Sequence, residues 1–142
     1  MKRCAGLAVC VLVTSAMGVM LSACDRGAAE RSDLTYQIDT TRMVFERLKP
    51  ALDEHNLAPD STAAAMVNAL RRNCVVMLPR LVKQKAPAGK KEMLQTKANQ
   101  LRDTFESQVR EPLVNSDPPD FEGAKQAIDK CLAILDEMAA VR

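Results

Sequence analysis

The stretch DSTAAAMVNALRRNCVVMLPRL, residues 60–81, decides the fold class. Asp60 and Ser61 are good helix-capping residues, since their side-chain oxygens can accept from backbone N–H groups that a helix start leaves unpaired. Behind them Val67, Leu70, Cys74, Met77 and Leu81 recur in alternating steps of three and four. That spacing keeps one face of an α-helix apolar, as the seam of a helical bundle requires. Pro79 stands near the C-terminal part, where some distortion is expected because proline has no N–H to donate.

The same period appears on both sides of this segment. Upstream, Leu34, Ile38, Phe45, Leu48 and Leu52 share a face, with Thr41 in the gap, on a helix that begins near Asp33 and that Pro50 should kink or interrupt. Downstream, a turn around Ala86-Pro87-Ala88-Gly89 precedes a third helix carrying Leu94, Ala98, Leu101, Phe105 and Val109, which Pro112 ends. Residues 115–120 read as a loop and a helix start. The fourth helix follows with Ala124, Ile128, Cys131, Leu135 and Met138. No alternating strand pattern, internal repeat or low-complexity tract occurs after the first segment. Four helices with short connections predict an all-α, antiparallel up-down four-helix bundle over residues 33–142.

The chain opens differently. Met1-Lys2-Arg3 is basic, the run from Cys4 to about Leu21 is apolar with no polar face, and the segment closes on Leu21-Ser22-Ala23-Cys24. Basic, apolar and small-residue segments in that order read as an export signal. Length alone would also allow a membrane span, but the tetrapeptide favours export because it resembles the lipobox of bacterial lipoproteins. The resemblance covers the first 24 residues. It implies cleavage before Cys24, so that residues 1–23 are a signal peptide. It further implies a diacylglyceryl group on that cysteine, often with a third acyl chain such as palmitate on its amine. Two or more chains give stable anchoring where one does not. Residues 24–32 are then the lipidated cysteine and a short tether. An Asp after the lipidated cysteine, here Asp25, retains such proteins at the inner membrane in enteric bacteria. The expected location is thus the cell envelope, facing the periplasm, with the inner membrane favoured over the outer.

Processing changes the charge balance. Of the 20 basic residues, Lys2 and Arg3 leave with the signal, so 18 remain against 18 acidic residues. A neutral domain with few aromatics argues against nucleic-acid binding, which calls for a basic excess and stacking platforms. The cysteines divide as well. Cys4 and Cys10 are discarded, Cys24 takes lipid, and Cys74 and Cys131 remain as an even pair. In an oxidising compartment a disulfide is the default, two separate buried thiols being the alternative. Closing that loop would constrain the unfolded chain by about 4 kcal/mol. A disulfide holds its Cα atoms roughly 4.4–6.8 Å apart, so the pair predicts a flattened bundle with helices two and four in direct contact.

Motifs for chemistry are few. The one histidine, His55, follows Asp53 and Glu54 at the end of the first helix, where it suits the helix dipole. No neighbouring residue nominates itself as the nucleophile that a general base would need. Paired Glu-x-x-His motifs, Gly-rich phosphate loops and Cys-x-x-Cys-His are absent. The helix order is similar in layout to periplasmic cytochromes of the b562 and c′ types, yet the last helix has no His to ligate haem. No metal or cofactor is expected, and enzyme activity is not expected. The five methionines beyond the signal read as core filling.

One charge pattern stands out. Arg80, Lys83, Lys85, Lys90, Lys91 and Lys97 face only Glu92 across residues 80–97. Helix dipoles account for bases closing the second helix but not for Lys90 and Lys91 opening the third. In an up-down bundle this turn lies at the lipid end, and the basic residues are expected to face anionic headgroups; an ordinary solvated turn is the alternative. The opposite end gathers Asp53, Glu54, Asp60, Asp117, Asp120 and Glu122. Together these features predict a non-enzymatic, membrane-tethered binding or assembly module with membrane lipid and a protein as partners. The general plan of a small helical lipoprotein resembles the pilotins that escort secretins, and a small-ligand or stress-sensing bundle is a further class.

Overall fold

The computed structural model describes the backbone of residues 17–141 and the side chains of 33–141. Residues 1–16, with most of the expected signal segment, lie outside the described residues, as do the side chains of 17–32, Cys24 among them. Among the described residues there are four helices and no strand.

The first helix spans Met17–Ala51, beginning well before Asp33, and its backbone continues through the expected tether at 25–32. Leu34, Ile38, Thr41, Phe45, Leu48 and Leu52 are all buried, in the heptad steps read from the sequence. Thr41 is a polar residue in this face, and its Oγ1 donates to the carbonyl of Gln37 at 2.7 Å, which offsets the cost of burying the hydroxyl. Pro50 sits in the last turn, after which the chain tightens into a 3-10 turn, Leu52–Glu54. His55 closes it at φ 50°, its N–H donating to the Leu52 carbonyl.

The second helix starts at Ser61, whose side chain accepts from the Ala64 N–H at 3.1 Å. It is α-helical over Thr62–Arg71, a π-helix over Arg72–Met77, and α-helical again over Leu78–Lys85. In the π-segment the Leu78 N–H reaches back five residues to Asn73. The third helix repeats the plan. A 3-10 turn, Ala88–Lys90, leads into α-helix Lys91–Thr104, π-helix Phe105–Arg110 and a final α-turn Glu111–Val114. Each π-segment ends two residues before a proline, Pro79 or Pro112. A proline cannot donate to the ladder, and its ring clashes with the carbonyl four residues back. The wider turn relieves that conflict without breaking the helix.

Two sequence readings need correcting on this account. A π-turn adds one residue, so the buried face of the second helix steps from Cys74 to Leu78 and Val82, leaving Met77 and Leu81 half-buried. The third helix does not end at Pro112 but runs on to bury Leu113. Its face, Leu94, Ala98, Leu101, Phe105, Val109 and Leu113, has the same four-three-four-four-four spacing as Ala63 to Val82.

The fourth helix, Phe121–Val141, is capped by Asp120, whose carboxylate accepts from the Gly123 N–H at 2.8 Å. The Asp120 N–H donates to the Pro112 carbonyl at 3.0 Å and so ties the third helix to the fourth. Ala124, Ile128, Cys131, Leu135 and Met138 are buried as read, with Ala127 and Ile134 widening the face.

Packing runs around a ring. The first helix lies against the second and fourth, and the third against the same two. Phe45 and Phe105 meet across the core, rings 6.1 Å apart at 73°, the edge-to-face geometry that aromatic quadrupoles favour. Direct packing of the second helix on the fourth is not among the substantial contacts. The expected flattening is therefore not found, and Cys74 and Cys131 are free thiols, both buried, with no disulfide between them. The physical reason is the ring itself: the helices that carry the cysteines stand on a diagonal, each packed on helices one and three rather than on the other.

Candidate functional site

The expected basic patch is spread over two helices and the turn between them. Arg80, Lys83, Lys90 and Lys91 are exposed, whereas Lys85 and Lys97 are half-buried. Lys97 turns away from the turn and pairs with Glu137 on the fourth helix. At the patch lies an open hollow of about 440 Å3, lined by Ala88, Lys91, Glu92, Gln95, Thr96 and Asn99.

The acidic groups are brought together in part. Lys125 at the start of the fourth helix bridges Asp53 of the first and Glu122 of its own helix. The hydrogen bond from Lys125 holds the Asp53 carboxyl below its usual value, and the bonds to Asp53 and Glu122 push the Lys125 ammonium above its own. His55 stacks edge-on against Phe121 with ring centroids 4.7 Å apart. It thus fastens the end of the first helix to the start of the fourth. Asp120 is occupied as a cap.

Cys74 and Cys131 belong to the same buried cluster as the two phenylalanines. The Arg71–Glu106 pair at 3.8 Å and the Lys130–Gln108 hydrogen bond at 2.8 Å tie the helices that carry them to the third helix. Burial pushes the Cys131 thiol up to about 12. Cys74 is raised well above its ordinary value, by burial first and then by Cys131 and Glu106. Thiols held protonated in this way are poor nucleophiles. Among the described residues no group of three or more His, Cys, Asp or Glu side chains could hold a metal ion.

A second surface feature is one the sequence reading missed. Leu57, Ala64, Val67, Asn68, Leu113 and Val114 line a half-open groove of about 300 Å3 between the start of the second helix and the end of the third. Through Asn68 it continues into a hollow of about 380 Å3 lined by Arg71, Arg72, Val75 and Val76. Val76 and Val114 are each 54% exposed. The signal available in the sequence was their position off the core seam.

Among the described residues no helix is long and apolar enough to cross a membrane. Comparison with protein-family models, with curated proteins and with solved structures returns no match for this chain.

Proposed function

We propose that this chain is the precursor of a lipid-anchored bacterial envelope protein whose four helices run up and down to form a non-enzymatic binding or assembly module. The observation that carries the location is Leu21-Ser22-Ala23-Cys24 at the end of a basic-then-apolar segment. The up-down course is supported by the ion pairs Arg42–Asp136, Lys49–Asp129 and Asp53–Lys125: partners on the fourth helix fall in number as those on the first rise. That course sets the basic turn at the lipid end and Asp53, Lys125 and Glu122 at the far end. Exposed Arg80, Lys83, Lys90 and Lys91 then face anionic headgroups, each contributing roughly 1 kcal/mol near such a surface. Lys97 contributes less because Glu137 engages it. Asp25 favours the inner membrane, with the domain in the periplasm.

A binding role is favoured over a small-ligand role by the open grooves on the outer surface. Labelling cells with an alkyne fatty acid tests the anchor. The chain takes label and shifts to the membrane fraction, and Cys24→Ser abolishes both; label that survives the substitution refutes the anchor. Vesicle binding by residues 25–142, which retain every described core residue, tests the orientation. Binding that needs anionic lipid and weakens in Lys90→Glu/Lys91→Glu supports it, whereas equal binding to neutral vesicles refutes it.

A further inference from the structure

We propose that the strip along the second helix, from Leu57 and Val114 to Val76, docks an amphipathic helical segment of a partner protein that carries carboxylates opposite Arg71 and Arg72. The proposal rests on reading the domain as a binding module and says where and what it binds.

Three independent observations meet on this strip. The first is shape: two hollows that share Asn68 run along the second helix, the first walled mainly by apolar side chains and the second by Val75 and Val76 beside Arg71 and Arg72. From Ala64 to Val76 the span is about 18 Å at 1.5 Å per residue, the length of three turns of a docked helix. The second is composition. Ala65, Ala69, Arg72 and Val76 recur at four-three-four spacing on the exposed side of the second helix. Small residues at two of those positions let another backbone approach to the usual helix-packing distance of 8–10 Å. A surface meant only for solvent has no need of alanines there beside an exposed valine.

Charge is the third. Arg71 is 58% exposed and its one partner among the described residues, Glu106, stands at 3.8 Å, a loose contact. Arg72 is exposed and has no partner among the described residues. Both guanidiniums line the same hollow as Val75 and Val76. Two adjacent guanidiniums in the middle of an apolar strip fit bidentate recognition of carboxylates. A partner helix with a leucine-type stripe flanked by Glu or Asp satisfies both the walls and the charge.

Two synthetic 16-residue amphipathic peptides with one shared leucine stripe test this, one flanked by Glu and one by Lys. The protein is residues 25–142, with methyl groups observed by NMR. The Glu peptide should bind at least tenfold more tightly than the Lys peptide, shifting the methyls of Val67, Val75, Val76, Leu113 and Val114 but not Met93. The surface variant Arg71→Glu/Arg72→Glu, checked for unchanged helicity, should invert that order. Val76→Asp, a second and independent variant, should weaken the Glu peptide about tenfold. Equal affinity for both peptides, shifts centred on Met93 or Met43, or no binding at millimolar peptide would overturn the proposal. So would shifts of the same methyls with protein concentration alone, which would make a second copy the occupant. Cys24 and the basic turn are untouched by these variants, so acyl labelling and vesicle binding report separately on the broader reading.

Discussion

Replacing Phe105 by alanine opens a cavity in the buried cluster that also holds Phe45, Cys74 and Cys131. Phe105 is fully buried and edge-on to Phe45. Substitutions of this kind cost roughly 3–5 kcal/mol, from lost transfer free energy plus the cavity that incomplete collapse leaves. A domain of this size has about 5–15 kcal/mol in all. The two buried thiols of the same core give a direct readout. In the folded chain Cys131, pushed up to about 12, is almost wholly protonated at pH 8, and Cys74 is held up in the same direction. Alkylation must then pass through opening of the structure. Since about 1.4 kcal/mol is a factor of ten in that equilibrium, Phe105→Ala should speed labelling of both cysteines between about a hundredfold and several thousandfold. The assay is alkylation followed by mass spectrometry, alongside urea unfolding of the same variant. Wild-type thiols that react as fast as a small-molecule thiol would refute their burial. A wild-type chain that takes no label even when unfolded, until reductant is added, would refute the free-thiol core.

Deleting Val76 together with Pro79→Ala should keep Leu78 and Val82 inward, because it removes the extra residue and the ring that calls for it. Urea unfolding should place it within about 2 kcal/mol of Pro79→Ala alone, whereas deleting Glu46 from the heptad-regular first helix turns Leu48 and Leu52 outward at about 3–6 kcal/mol. Ser61→Ala should lose about 1 kcal/mol by removing the cap on Ala64; an unchanged urea midpoint would refute that role. Gly123→Ala should fail to stabilise despite alanine's helix propensity, about 1 kcal/mol better than glycine, since a Cβ there collides with the capping Asp120 carboxylate. In the Asp120→Ala background the same change should become favourable. Asp53 has its carboxyl lowered from 3.8, so its contribution is present above that value and fades as pH falls through the folded value; Lys125, raised from 10.5, contributes below that value and fades as pH rises through its own. By NMR, Lys125→Met should move the Asp53 titration back up towards 3.8, and an unmoved titration would refute the pairing.

The inward faces of the first and fourth helices were legible, apart from the start of the first and the added Ala127 and Ile134, because a heptad in a straight α-helix leaves one choice of inward face. The second was not, and the reason is degeneracy. Met77 and Leu81 are as apolar as Leu78 and Val82, so hydropathy cannot tell an α-turn from a π-turn. Pro79 and Pro112 were the cues. The cysteines failed differently. Seam position shows that Cys74 and Cys131 point inward at similar height, but carries no information on which helices are neighbours around the ring. Lys97 was counted with the turn because Glu137 is forty residues away in sequence. The groove escaped notice because it is built from residues that are exposed, a class in which single apolar side chains are ordinary.

The π-segments also bear on the handedness of the bundle. Val67 to Leu78 and Ala98 to Val109 are each eleven-residue repeats, while the first and fourth helices keep to seven. Seven-residue repeats wind helices around one another to the left, and eleven-residue repeats favour the right. A single step of this kind locally unwinds the left-handed path that the first and fourth helices favour. The second and third helices carry that unwinding at the same point of their sequences, so their two inward faces stay matched to each other across the core.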